Sequence, residues 1–507
     1  MSILSLEYLL FTAATFAAYY LFPLKKRWCV LLMVSILFYM LAGWQSVAYL
    51  GAAAAVTWGG ALGVHALAVR RKATLARLLL ALVLLAVLGA MAFFKYIGAV
   101  LDAVNALMAA VGSGKTLPVR AWMLPLGLSW FTFQSAGYVI DVYRGKFEPE
   151  RNFCKYLLFV SFFPQMAQGP ISTWQQLSPQ LMEGHRLQPQ GVAAGFLLMI
   201  WGYFKKLVIA DRLAMVTAYV TSGAEQPGWL ILMGAGLYMV QLYADFSGGM
   251  DVIRGTARTL GIDMAENFRR PFFAVSVSEY WRRWHISLGA WFRSYLLYPL
   301  TTSHLGLAIG RASCKRLGKK TGRLVPSALA TILIFLCIGI WHSANWNAAL
   351  YGLYFGLVMS GAMLLQPVFR AVRRRLHVQD GCPLLGGLRL VRTWLLVMLP
   401  QFFAFTNGPR QAFALMRRSV CGWASVGFAE AMTAVMAPLE WSIALAAMLL
   451  VLAVDLLQER GADVWADLAA KRAPLRFLVL IALILSIVVL GCYGDGFDGA
   501  AFLYAQF

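Results

Sequence analysis

The segment 325-VPSALATILIFLCIGIWHSANWN-347 starts as an apolar run and ends in a short group of polar and aromatic residues. Residues 325–341 contain no charged side chain. Their length approaches the roughly 20 residues that a helix needs to cross the hydrocarbon core of a bilayer. Strands of a membrane barrel would instead alternate in polarity over about ten residues. The segment therefore predicts a membrane-spanning helix.

Similar apolar runs recur along the whole chain. They cover residues 4–22, 28–42, 47–69, 78–94, 192–220, 229–243, 325–341, 348–365, 394–405, 441–457 and 477–490. The 507 residues are 60% hydrophobic and 13% charged, against about 45–50% and 25% in soluble proteins. We predict an all-α, polytopic membrane protein with about eleven transmembrane helices, plus re-entrant or interfacial helices. Residues 1–507 are read as a single domain whose catalytic middle spans residues 120–360.

The basic residues are placed beside the apolar runs. The chain carries a net charge of +22, with clusters at residues 25–27, 70–72, 373–375, 417–418 and 471–472. Positive charge in short loops next to spans is typical of cytoplasmic loops and of contacts with lipid headgroups. The charge therefore indicates membrane topology, and no nucleic-acid partner is predicted.

A histidine directly follows the run at residues 325–341. His342 is flanked by Trp341 and Trp346, and an ionisable side chain in such a position is expensive and often functional. Asn345 lies on the same face if the helix continues, where its amide can hydrogen-bond the imidazole or a bound carbonyl group. Burial would favour the neutral imidazole, which is the form that a general base needs. The alternative is an interfacial histidine in an aromatic belt.

A second histidine lies in 276-SVSEYWRRWHISLGAWFRSYLLYPLTT-302. Read at helical period, this segment has one aromatic and apolar side, formed by Tyr280, Trp284, Leu288 and Trp291, while the arginines fall elsewhere. The pattern predicts one amphipathic helix at the membrane interface that contains His285. Neither histidine has a carboxylate or second histidine at metal-binding spacing, so no metal site is predicted.

The segment 241-QLYADFSGG-249 ends an apolar run with a carboxylate. In a membrane such a group must be paired or hydrated. Because Asp245 and Ser247 are followed by two glycines, we predict a broken helix whose free backbone groups line a cavity.

These segments belong to a larger ordered set. It comprises 94-FKY-96, 125-PLGLS-129, 131-FTFQ-134, 140-IDVYRG-145, 162-FFPQ-165, 169-GP-170, 204-FKK-206, 210-ADR-212, 245-DFSG-248, 266-ENF-268, 280-YWRRWHISL-288 and 341-WHSANW-346. The set resembles the membrane-bound O-acyltransferases, in the branch of alginate O-acetyltransferase membrane subunits and the D-alanyl-transfer protein of lipoteichoic acid synthesis. Two positions depart from that pattern: Ser343, where glycine is common, and 405-FTNG-408.

The resemblance implies a ring of spanning helices around a thin centre, where a cytoplasmic donor tunnel meets an outward-facing funnel. It implies that His342 is catalytic and that His285 is a second active-site residue. The residues expected to line the site are Gln134, Asp245, Ser247, Trp284, Trp341, Asn345 and Trp346.

The implied reaction is acyl transfer, without a bound cofactor, from a cytoplasmic thioester to a hydroxyl group. Acetyl-CoA is the expected donor, and the acceptor is an extracytoplasmic polysaccharide or a partner acetyltransferase of the SGNH type, within a polysaccharide export complex. The expected location is the bacterial cytoplasmic (inner) membrane. Three alternatives stay open at this point: D-alanyl transfer from a carrier protein, a transporter, and a scaffold for an export complex.

Overall fold

The computed structural model describes residues 2–112, 115–118, 124–223, 226–375, 383–422 and 426–493. Within these ranges the chain is helical and contains no strand. The helices are α1 (Leu6–Leu21), α2 (Arg27–Leu41), α3 (Trp44–Val69), α4 (Ala73–Ala110), α5 (Leu128–Tyr143), α6 (Phe153–Ser161), α7 (Phe163–Gln168), α8 (Trp174–Met182), α9 (Pro189–Phe204), α10 (Asp211–Thr221), α11 (Gly228–Thr259), α12 (Val277–Arg283), α13 (Ile286–Phe292), α14 (Tyr298–Thr302), α15 (His304–Gly322), α16 (Val325–His342), α17 (Trp346–Leu364), α18 (Gln366–Arg375), α19 (Pro383–Met398), α20 (Gln401–Ala404), α21 (Pro409–Cys421), α22 (Phe428–Val435), α23 (Pro438–Glu459), α24 (Val464–Ala469) and α25 (Ala473–Leu490). Two π-helical turns lie at Lys205–Ala210 and Arg293–Leu297, and 3-10 turns at Leu24–Lys26 and Pro271–Phe273.

The predicted apolar runs correspond to the long helices. In the described part of the chain, nine helices are long and apolar enough to cross a membrane, and nine of the eleven runs lie in them. The other two runs form α1, with 16 residues, and α2, with 15. Helix α25 is strongly apolar yet has no buried residue, as expected for a helix that faces lipid. The prediction of an all-α polytopic membrane protein is confirmed.

The chain divides into two compact units. The first comprises Met1–Met199 and Met250–Ala265, and the second comprises Ile200–Gly249 and Glu266–Phe507. The first unit has an aromatic core, in which the ring of Tyr138 lies 4.6 Å from that of Tyr156 and 5.2 Å from that of Trp174. The Tyr156 hydroxyl also shares a 2.7 Å hydrogen bond with Thr57, so the core is tied to α3.

Helices α16 and α17 of the second unit form a hairpin whose backbones are in contact. A methyl group added at Gly339 would overlap the Ala348 carbonyl group, and one added at Gly352 would overlap the Phe335 carbonyl group. Small residues permit such close approach between membrane helices, where packing rather than the hydrophobic effect favours association. This contact fixes the turn at the end of α16, where His342 is the last helical residue.

The second unit also contains a buried group of charged side chains. Lys206 Nζ lies 2.7 Å from Asp245 Oδ1 and 2.8 Å from Asp211 Oδ1. Lys205 Nζ donates a 2.8 Å hydrogen bond to Ser247 Oγ. Lys205, Lys206 and Asp245 are each no more than 4% exposed. Charges at such depth are tolerated when they are paired and hydrogen-bonded.

The predicted break in α11 is wrong. The helix is continuous through the Ser247–Gly249 region, and the irregular backbone lies instead in the π-helical turn that carries both lysines. Asp245 is paired by Lys206, so its burial does not require an open helix. Gly248 serves close packing, since a methyl group there would lie 2.8 Å from the Gly202 carbonyl oxygen.

We predict that Gly339→Ala destabilises the protein by about 1–3 kcal/mol, the usual cost of overpacking. The added methyl group would push α16 away from the Ala348 carbonyl group. Gly361→Ala, in the same hairpin, is the control because it has no atom within 4 Å of the new methyl group. Thermal unfolding in detergent compares the two variants. Equal unfolding temperatures would contradict the proposed backbone contact.

We predict that Lys206→Met destabilises the protein by about 3–5 kcal/mol, the cost of leaving buried charge without its partner. Both Asp211 and Asp245 would lose their ammonium group. Arg269→Met removes an exposed pair with Glu266 and should cost less than about 1 kcal/mol. Denaturant titration of the purified variants measures both. A similar loss in the two variants would show that the buried network is not needed for stability.

Candidate functional site

His285 lies at a sharp turn between two short helices. Helix α12 ends at Arg283, Trp284 is extended, and His285 has φ 46° and ψ 53° in the left-handed region. The predicted continuous amphipathic helix is therefore wrong. Its apolar side is nevertheless buried, because Tyr280, Trp284, Leu288 and Trp291 are all at most 9% exposed.

Asn267 holds this turn from outside the segment. Its carbonyl oxygen accepts the Ile286 N–H at 3.0 Å, and its side-chain Oδ1 accepts the Ser287 N–H at 2.9 Å. Its Nδ2 lies 3.2 Å from His285 Nδ1. Asn267 had no predicted role, although it lies in the motif 266-ENF-268. Its partners are 18 to 20 residues away in the chain, a spacing that no local pattern reveals.

The imidazole of His285 is buried among aromatic rings. It is 3% exposed, and the Phe246 ring meets it edge-on at 5.0 Å. Burial lowers the pKa of His285 from 6.5 to about 3, because a charged imidazolium would lose its hydration. His285 is therefore neutral across the physiological pH range.

Asp245 and Ser247 contribute to this environment indirectly. Their side chains bond Lys206 and Lys205, whereas Phe246, the residue between them, contacts both His285 and Trp284. The charged network thus fixes the rotation of α11 that presents Phe246 to the histidine.

His342 has a different setting, at the end of α16. It is half-buried, and its ring lies 4.5 Å from that of Trp341. The helix stops there because Ser343 is extended, with φ −153° and ψ 140°. The neighbouring Trp346 side chain is 77% exposed. The imidazole thus lies at an accessible turn between two spanning helices.

Asn345 caps the next helix. Its Oδ1 accepts the Ala348 N–H at 2.8 Å, and its Nδ2 donates to Ser343 Oγ at 2.9 Å. Asn345 was predicted to share a helix face with His342 if the helix continued. Because α16 ends at His342, the two residues do not share a helix face. Capping of this kind stabilises the start of α17, so Asn345 shapes the turn that carries His342.

Trp281 connects the two histidine segments. Its ring lies 5.0 Å from Phe335 of α16 and 5.0 Å from Phe355 of α17, which packs α12 against the hairpin. Its indole N–H is buried and has no acceptor among the residues that the structure describes. Buried indole N–H groups usually have a partner, so a bound molecule or water would complete this contact.

Gln134 lies in the first unit, as do two other buried glutamines, Gln165 and Gln168. Its Nε2 donates to the Ser172 carbonyl oxygen at 3.3 Å, while Oε1 has no partner in the described ranges. Gln165 and Gln168 are 0% and 2% exposed, and neither side-chain amide has a hydrogen-bond partner there. An unpaired buried amide costs about 1–3 kcal/mol. Folding alone does not explain these three glutamines.

We predict that acidification destabilises the wild-type protein more than His285→Gln. The folded-state pKa of His285 lies below its ordinary value, so the unfolded state binds the extra proton first. The contribution of His285 is present above pH 6.5 and is lost as the pH falls toward 3, by about 1.4 kcal/mol per pH unit. Unfolding temperatures at pH 7 and pH 5 test this. Equal losses for the two proteins would contradict the neutral, buried imidazole.

Comparison with known proteins gives a consistent result. The model of the membrane-bound O-acyltransferase family matches residues 150–313, a range that includes His285 and ends before His342. The chain is 33% identical over 396 residues to "Probable alginate O-acetylase AlgI" of Azotobacter vinelandii, covering 77% of this chain and 72% of the relative. It is 31% identical over 314 residues to the peptidoglycan O-acetyltransferase of Helicobacter pylori, covering 56% and 55%. It is 25% identical over 241 residues to the teichoic acid D-alanyltransferase of Bacillus subtilis, covering 46% and 58%.

Identity of one third over most of both chains agrees with the helical membrane fold and with the ordered motifs. The enzyme is a multi-pass membrane O-acyltransferase. The chain belongs to the membrane-bound O-acyltransferase family.

Proposed function

We propose that this enzyme moves an acetyl group from acetyl-CoA to a hydroxyl group on an extracytoplasmic polysaccharide or on a partner acetyltransferase. The observation that carries the proposal is the position of His342, half-buried at the end of a spanning helix, where a substrate can reach it. The choice of acetyl rests on relatives named O-acetylases and O-acetyltransferases, which are 31–33% identical to this chain.

His342 serves as the general base. Its imidazole removes the proton of the acceptor hydroxyl, and the oxygen attacks the thioester carbonyl carbon. A carbon–oxygen bond forms, the carbon–sulfur bond breaks, and the thiolate leaves. The imidazolium of His342 then returns the proton to the sulfur. Every bond and proton is accounted for without a metal or a redox partner.

His285 has the properties of a fixed hydrogen-bond donor. It is buried, neutral and held by Asn267. A donor that is already oriented stabilises negative charge on the carbonyl oxygen during attack at little reorganisation cost. The buried indole N–H of Trp281, in the helix immediately before His285, is a second candidate donor.

The donor side is assigned from charge. Basic clusters beside the spans attract the phosphates of coenzyme A electrostatically, which fits a cytoplasmic donor and an enzyme of the bacterial inner membrane. On the opposite side, a polysaccharide export complex with an acetyltransferase of the SGNH type would receive the group. A second candidate function is D-alanyl transfer from a carrier protein, which the 25% identity to a teichoic acid D-alanyltransferase favours.

We predict that His342→Ala lowers acetyl transfer by about 10²–10⁴-fold, the usual contribution of a general base. Membranes containing the full chain would receive radiolabelled acetyl-CoA, and label on polymer or partner protein would be counted. His304→Ala is the matched control, because His304 is exposed at the start of α15. Undiminished transfer by a folded His342→Ala variant would contradict the assignment. Transfer of D-alanine but not of acetate by wild type would favour the second function.

A further inference from the structure

The bonds around Asn267 determine which nitrogen of His285 carries hydrogen. Asn267 Oδ1 accepts the Ser287 N–H at 2.9 Å, which fixes the orientation of the side-chain amide. The amide nitrogen is then the atom nearest to His285 Nδ1, at 3.2 Å, with Oδ1 farther away at 3.4 Å. An N–H at Nδ1 would face the amide N–H at 3.2 Å and could reach only the more distant Oδ1, which already accepts the Ser287 N–H. The arrangement is favourable when Nδ1 accepts from the amide, and a neutral imidazole then carries its hydrogen on Nε2.

The backbone of the turn supports the same arrangement. His285 has φ 46°, a left-handed conformation that is uncommon for a residue other than glycine. Such a conformation persists only where the surroundings hold it. The bonds from Ile286 and Ser287 to Asn267 hold both residues that follow His285. One side chain and its carbonyl group therefore set the position of the imidazole as well as its tautomer.

We propose that Asn267 is a positioning residue that holds neutral His285 in its Nε2–H tautomer, so that His285 donates a hydrogen bond to the reacting carbonyl oxygen and does not act as a base. The catalytic part of this inference rests on the proposed acetyl transfer, whereas the tautomer rests on the hydrogen-bond geometry around Asn267. In this arrangement His285 gives up no proton during turnover. The hydrogen bond from its Nε2–H strengthens as charge develops on the thioester oxygen. The proton that moves during the reaction passes from the acceptor hydroxyl to His342.

A hydrogen-bond donor and a base respond differently to replacement by glutamine. The side-chain amide nitrogen of glutamine can take the place of an imidazole Nε2–H donor, but an amide cannot accept a proton in this pH range. His285→Gln should therefore retain about tenfold more activity than His285→Ala. His342→Gln should be as inactive as His342→Ala. Removal of one such donor typically costs about 10²–10³-fold in kcat, which leaves ample range to resolve these differences.

Asn267→Asp is the most direct probe. The new carboxylate can still accept the Ser287 N–H, but it has no hydrogen to donate and would draw a proton onto His285 Nδ1. We expect kcat to fall on the order of 10²-fold with little change in KM. The activity should also become pH-dependent, since imidazolium formation now falls within the accessible pH range.

A double-mutant cycle separates positioning from a purely structural role. In the His285→Gln background there is no tautomer to fix, so Asn267→Asp should reduce kcat little further. A full additional loss in that background would overturn the proposal, because Asn267 would then act independently of His285. Unfolding temperatures of all four proteins identify variants that have lost the fold.

The tautomer can also be measured directly, without an activity assay. Nitrogen NMR of the full chain carrying labelled histidine, with the His285 signal assigned through His285→Gln, should show protonated Nε2 and unprotonated Nδ1 at pH 7. The Asn267→Asp variant should show a protonated Nδ1. A wild-type signal from protonated Nδ1 would overturn the inference. If wild type transfers nothing from acetyl-CoA but the NMR result holds, the donor assignment fails and the positioning role stands.

Discussion

The pairing of Lys206 with Asp245 and Asp211 is the constraint on which the second unit depends. The Lys206 ammonium nitrogen lies within 2.8 Å of a carboxylate oxygen of each aspartate, in a chain that is mostly apolar. In such surroundings an ammonium group is costly to bury unless it is paired and hydrogen-bonded. Both lysines lie in the π-helical turn at Lys205–Ala210, and the bond from Lys206 to Asp245 holds α11 against that turn. Phe246 consequently faces His285, so the network acts on the site without contacting a substrate.

The two histidines have opposite environments, and this difference indicates different roles in catalysis. His285 is enclosed by Phe246 and Trp284 and held by Asn267, so its protonation state is fixed. His342 lies at a turn between spanning helices, beside an exposed Trp346. A group that moves a proton must reach the substrate, and a group that stabilises charge must not reorganise. The close contact of Gly339 with α17 holds the turn that carries His342 in place.

Sequence patterns predicted the elements whose cause is local. Apolar runs predicted the spanning helices, since hydropathy over one segment decides whether it enters the bilayer. The segment around His342 was found because a histidine follows such a run. The left-handed turn at His285 and the role of Asn267 were not predicted, because they depend on bonds between residues distant in the chain. The helix break predicted at Ser247–Gly249 is absent for the same reason. The Asp245 carboxylate is paired by Lys206, which lies 39 residues away in the chain. Asn345 was misplaced because helix ends are poorly defined by periodicity.

The most direct test is a structure of the full chain bound to a non-reactive analogue of acetyl-CoA. In this analogue a methylene group replaces the thioester sulfur atom, so that the thioester becomes a ketone. The account predicts that the ketone oxygen lies about 2.7–3.1 Å from His285 Nε2, with His342 positioned on the side from which an acceptor hydroxyl would attack. A ketone oxygen bound away from His285, or a donor chain that leaves His342 without access to the carbonyl carbon, would contradict it.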